Sequence, residues 1–106
     1  MGLFDFLRGA DINYGLQEYQ AEPNAVLLDV RTQQEYIGGH IPGSQNLPLQ
    51  RIEAIETVVE DRNRPIYVYC HSGGRSQQAA RMLGQMGYSR VKNIGGIMSY
   101  NGKVER

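Results

Sequence analysis

The sequence has no tryptophan, one cysteine, two phenylalanines, two histidines and no net charge, and each scarcity removes a class of explanation. A lone cysteine cannot build an internal disulfide framework. Two histidines far apart, with no close-spaced pair of ligands, do not make a metal site, and nothing else in the residues calls for a cofactor. The eleven basic and eleven acidic residues are scattered, so neither a nucleic acid nor an anionic membrane is implied as a partner. No apolar run approaches the ~20 residues of a membrane span. The cluster Leu3, Phe4, Phe6 and Leu7 is broken by Asp5 and too short for a signal peptide, so the expected location is the cytoplasm. Phe6 also stands where a myristoylation signal requires Ser or Thr.

What is present fits one globular domain, because 106 residues of which 41% are apolar can fill a single core. We expect an N-terminal extension over residues 1–10 and a domain over 11–106, with Leu3, Phe4 and Leu7 on one face of a short helix packed on that domain. Strand and helix signals alternate along the chain, the pattern of a parallel α/β sheet. A weak first strand is expected at Asp11 to Asn13, then a short helix carrying Leu16 and Tyr19. Ala25 to Val30 is a continuous apolar run suited to a central strand. A short helix near Gln33 to Tyr36, a strand at Gln45 to Leu47 and a helix over about Gln50 to Glu60 follow. Ile52, Ile55, Val58 and Val59 are expected on the inner face of that last helix. A second central strand runs from Ile66 to Cys70, a helix from Gln77 to Met86, and a last strand from Arg90 to Ile94.

The chemistry concentrates at Cys70, which ends the run Ile66, Tyr67, Val68, Tyr69 and begins the loop His71, Ser72, Gly73, Gly74, Arg75. The paired glycines let backbone N–H groups turn inward, and the loop opens a helix whose N-terminus favours negative charge. Such surroundings bring a thiol from a pKa of about 8.5 down to roughly 3.5–7.5. Cys70 is therefore expected to react as a thiolate.

Four segments then carry a resemblance: Leu27-Leu28-Asp29-Val30-Arg31, Gly39-His40-Ile41-Pro42-Gly43-Ser44, the loop Cys70 to Arg75, and Gly95-Gly96. In this order and spacing they resemble a single-domain rhodanese. The resemblance implies a parallel five-stranded sheet flanked by helices on both faces. It also implies a sulfurtransferase, moving sulfane sulfur from a donor such as thiosulfate or a persulfide to a thiophilic acceptor through a persulfide on Cys70. Asp29 and Arg31 then have mainly structural roles beside the loop. The chain departs from many members in placing Tyr100 where a tryptophan follows the glycine pair, and in offering one Arg and one His in a loop that often carries more cations.

Individual residues admit a plain reading beside the chemical one. Arg75 either binds the anionic end of a donor or braces the loop through backbone carbonyls, since its planar five-donor head suits both. His71 reads as loop filler more than proton carrier, because a low-pKa thiolate needs no general base. His40 reads as a structural turn histidine, Ser72 and Ser76 as caps of the loop or helix start, and Tyr67 with Tyr69 as packing. Glu35 leaves the mouth without a further cation. A Cys-dependent phosphatase or arsenate reductase is the rival from another class, but these place five residues between Cys and Arg, whereas four stand here. A non-catalytic binding module would usually have lost the cysteine. A carrier that relays sulfur between proteins is not separable from a small-molecule sulfurtransferase by sequence.

Overall fold

The structure is a computed structural model, and it describes residues 10–106. The helix expected on Leu3, Phe4 and Leu7 lies outside the described residues. Asp11 is an N-cap: its carboxylate accepts from the Asn13 N–H at 3.0 Å and starts helix α1, Ile12–Ala21. The strand expected at Asp11 to Asn13 is therefore absent. Ile12 and Leu16, four residues apart, are both buried, so their spacing is that of a helix face and not of a strand.

Four parallel strands follow among the described residues, β1 (Val26–Asp29), β2 (Gln45–Asn46), β3 (Ile66–Cys70) and β4 (Val91–Gly96), in the order β2-β1-β3-β4. Among the described residues the count is four where the resemblance implied five. β1 and β3 lie centrally and are buried at every position, as their continuous apolar composition requires. Alternation along them divides the core. Val26, Leu28, Val68 and Cys70 face one cluster with Ile52, Ile55, Val59, Ala79 and Leu83, whereas Leu27, Tyr67 and Tyr69 join Ile12, Leu16 and Ile94 in the other. Helices thus cover both faces of the sheet.

Helix α2 (Gln33–Gly38) is closed by a capping box between Thr32 and Glu35. The segment expected as a helix over Gln50 to Glu60 is instead 3-10 helix, Leu49–Thr57, interrupted by non-helical Arg51. Its β-branched Ile52, Ile55 and Thr57 disfavour longer α-helix, while Ile52, Ile55 and Val59 still reach the core and Val58 packs on it partly buried. Helix α3 spans Gly74–Gln85. It begins three residues before the expected Gln77, so Gly74 and Arg75 belong to its first turn. No helix among the described residues is long and apolar enough to cross a membrane.

Candidate active site

The turn from β3 into α3 takes only His71, Ser72 and Gly73. Gly73 makes it possible, with φ +108° at the N-cap of α3, a left-handed conformation that costs a side-chain-bearing residue free energy. The turn folds its donors back on the sulfur. Cys70 is 1% exposed, and its Sγ accepts from the Gly73 N–H at 3.0 Å and from the Ser76 hydroxyl at 3.3 Å. Burial pushes the thiol up, but the Ser76 hydroxyl and the N–H groups of Ser76, Gly73 and Ser72 outweigh it, so Cys70 ionises below its ordinary value. Inward N–H groups and a helix start at Cys70, expected from the sequence, are what the geometry displays. Ser76 is more than a cap: it touches the sulfur.

The fourth wall is β4. Gly96 pairs with Cys70 in the sheet register, and a Cβ there would land on the His71 carbonyl oxygen and 2.5 Å from Ser72 Cα. Only a glycine lets the turn lie this close. Between Asn93 and Gly95 the register with β3 shifts by one residue, as in a bulge, and the Asn93 amide fills the gap. Its Oδ1 accepts from the Gly95 N–H at 3.0 Å, its Nδ2 donates to the Gly73 carbonyl at 3.3 Å, and the Ser76 Oγ lies 2.7 Å from Oδ1. Sequence reasoning passed over Asn93, and no local motif would have revealed it.

The hydrogen bonds of the Arg75 guanidinium go to a side chain of another helix and not to backbone carbonyls of the loop. From the first turn of α3 Arg75 reaches α2, where Nη1 and Nη2 donate to the two carboxylate oxygens of Glu35 at 2.8 and 3.0 Å. This fork-to-fork pair holds Glu35 well down, to about 2, with help from the Thr32 backbone and hydroxyl. Sequence reasoning passed over the Thr32-x-x-Glu35 capping box, which its spacing could have shown, and the Glu35–Arg75 pairing across forty residues, which no local motif shows. A phosphatase reading loses its free guanidinium here. Asp29 and Arg31 form a second, buried pair, with Arg31 donating from its backbone N, Nε and Nη2, the last at 2.7 Å, and with Nη2 also reaching the Gly39 carbonyl at 2.8 Å. The Asn46 amide ties the Asp29 and Arg31 carbonyls together, so this cluster fixes the end of β1 beside the site. His71, Ser72 and Gly74 are exposed at the mouth.

Residues 14–103 match the rhodanese-like domain. The chain belongs to that family. It is 42% identical over 71 residues to the thiosulfate sulfurtransferase PspE of Escherichia coli, covering 66% of this chain and 68% of that relative. It is 37% identical over 90 residues to the putative sulfur carrier protein YrkF of Bacillus subtilis, covering 84% of this chain but only 48% of the relative's length. A solved rhodanese with anions from E. coli superposes with a TM-score of 0.72 at 36% identity, over 77% of this chain and 98% of that one.

Proposed function

We propose that this protein is a sulfurtransferase that carries sulfane sulfur as a persulfide on Cys70. The observation that carries the reading is a buried sulfur at a strand end, held below its ordinary pKa by surrounding donors and with no full cation on it. With thiosulfate as donor, the Cys70 thiolate attacks the outer sulfur, the S–S bond breaks, and sulfite leaves with the bonding electron pair. The terminal sulfur of the resulting persulfide then lies over the turn, where the N–H groups that stabilised the thiolate act on its charge as an oxyanion hole does. A nucleophilic acceptor, a thiolate or cyanide, takes that sulfur and returns the Cys70 thiolate. Two half-reactions on one sulfur predict ping-pong kinetics.

Relay between proteins is the second reading, and a specific observation favours it. Arg75 is engaged by Glu35, so a small dianion meets no free cation in the turn. The similarity to a putative sulfur carrier points the same way. Both readings are tested by intact-protein mass spectrometry after exposure to thiosulfate, polysulfide or a cysteine-desulfurase system, then to cyanide or a thiol. The wild-type chain should gain one sulfur atom and lose it to the acceptor, and Cys70→Ser should gain none. Transfer by the Cys70→Ser variant would refute the assignment, and the donor that loads fastest separates enzyme from carrier.

A further inference from the structure

The Ser76 hydroxyl has one proton and four acceptors within reach: Asn93 Oδ1 at 2.7 Å, the Gly73 carbonyl at 3.1 Å, Cys70 Sγ at 3.3 Å and the Gly95 carbonyl at 3.4 Å. It can serve one of them well at a time. The Asn93 amide is oriented without ambiguity, because Oδ1 receives the Gly95 N–H and Nδ2 faces the Gly73 carbonyl. The shortest of the four distances therefore joins a hydroxyl to a fixed acceptor.

We propose that Asn93 is a positioning residue for Cys70, holding the proton of the Ser76 hydroxyl while the sulfur is neutral and yielding it when the sulfur becomes a thiolate. A neutral thiol or sulfide sulfur is a weak acceptor, and an amide oxygen at 2.7 Å outcompetes it. A thiolate is charged, and a hydrogen bond to a charged acceptor is roughly twice as strong as a neutral one, so the proton swings to Sγ. Asn93 thus stabilises the protonated sulfur relative to the thiolate and sets Cys70 to ionise at a higher pH than the turn alone would give. An attacking thiol works best with a pKa near ambient pH, because nucleophilicity falls as pKa falls. Asn93 keeps the donors around Cys70 from overshooting. In the persulfide of the proposed function the inner sulfur is neutral again, and the Ser76 proton returns to Asn93, leaving the N–H groups to the charged outer sulfur; this last step rests on that functional reading.

Among the described residues, the other charged groups about Cys70 are paired or exposed. Arg75 on α3 is paired with Glu35 of α2, Asp29 of β1 with Arg31, and Lys92 of β4 with Glu18 of α1, while His71 is exposed in the turn.

Cys70 is the chain's one cysteine, so the pH profile of alkylation by iodoacetamide reports it alone, whether or not sulfur transfer occurs. Asn93→Ala should lower the midpoint and Asn93→Asp should raise it, each by about half a unit to one unit as expected for one rearranged hydrogen bond or nearby charge. Ser76→Ala should raise it, and adding Asn93→Ala to Ser76→Ala should move it no further, because Asn93 acts through Ser76. A residue that only braced the turn would lower the melting temperature without the opposed shifts. The proposal fails if Asn93→Ala leaves or raises the midpoint, or shifts it equally with Ser76 absent. Should Asn93→Ala not fold, the near-isosteric Asn93→Asp decides: its rise must shrink in the Ser76→Ala background, and an undiminished or absent rise overturns the inference. Failure of thiosulfate or polysulfide to load the wild-type protein, with these shifts intact, would strike the functional reading alone.

Discussion

Replacing Gly96 by alanine isolates the geometric demand that the glycine pair places on the turn. Gly96 has φ −123° and ψ 141°, an extended conformation that alanine adopts without strain, so any effect arises from the added methyl group. That methyl would fall on the His71 carbonyl oxygen, 2.5 Å from Ser72 Cα and 2.7 Å from the His71 carbonyl carbon. Ordinary contact begins at 3.4 Å, so the turn must retreat by about 1.2 Å to clear the His71 carbonyl oxygen. All three atoms are main chain, hence no side chain can swing aside to absorb the clash. Overpacking of this kind costs about 1–3 kcal/mol, a fall in melting temperature of about 5–20 °C for a domain of this size. The N–H groups of Ser72 and Gly73 move with the turn, and a displacement of about 1 Å costs on the order of 10²-fold in rate. Calorimetry fixes a temperature at which the variant is folded, and rapid-quench sulfur loading from polysulfide at that temperature gives the rate. A folded Gly96→Ala protein that loads within about twofold of wild type would refute the steric argument.

Glu35→Gln frees the Arg75 guanidinium and should lower the KM for thiosulfate at low salt by about fivefold, on the order of 1 kcal/mol of added attraction, with the gain shrinking as salt rises; an unchanged KM would show that Arg75 does not meet the donor. Because Glu35 is held at about 2 in the folded chain, against an ordinary 4.5, the pair stabilises the fold above the ordinary value and is lost as pH falls toward 2. About a third of each side chain is exposed, so solvent screening reduces the effect to about 1 kcal/mol, and urea midpoints of wild type should fall relative to Glu35→Gln between those two pH values. Asp29→Ala strands the buried Arg31 and should cost about 3–5 kcal/mol in urea unfolding; a loss below about 1 kcal/mol would mean that Arg31 finds other partners.

The legible parts of this chain were those whose signal is local and repeated. The runs at Ala25 to Val30 and Ile66 to Cys70 have the continuous apolar composition of central strands, and Ala79 and Leu83 have the spacing of a buried helical stripe. The errors lie where a short signal competes with one interaction. Asp11 to Asn13 reads as a strand start until the Asp11 carboxylate caps a helix instead, and the 49–57 segment has helical periodicity but is interrupted at Arg51, whose backbone leaves the helical range. In the site, Cys70 and its glycines announce themselves because a strand, a turn and a helix must follow in a few residues. The partner of Arg75 is not local: Glu35 comes from another helix, and only the parallel packing of β1 beside β3 brings α2 to α3. Asn93 is hidden for the same reason, since its role depends on a one-residue register shift between two strands.

The arrangement also explains why Cys70, buried in the core of an electrically balanced chain, ionises below its ordinary value. Desolvation opposes the thiolate, and the Arg75 charge that reaches Cys70 is shared with the Glu35 carboxylate. Dipoles in contact with the sulfur carry the larger part. The N–H groups of the turn and the first turn of α3, with the Ser76 hydroxyl, are each only partial charges, but they are fixed at hydrogen-bond distance and need no reorganisation when the charge appears. Fixed dipoles act over a few ångströms and attract little from solution, whereas a cation would also draw in small anions at longer range. This is the physical ground for the relay reading proposed above, in which a donor is delivered by contact around the exposed His71, Ser72 and Gly74 and is not captured by charge from bulk water.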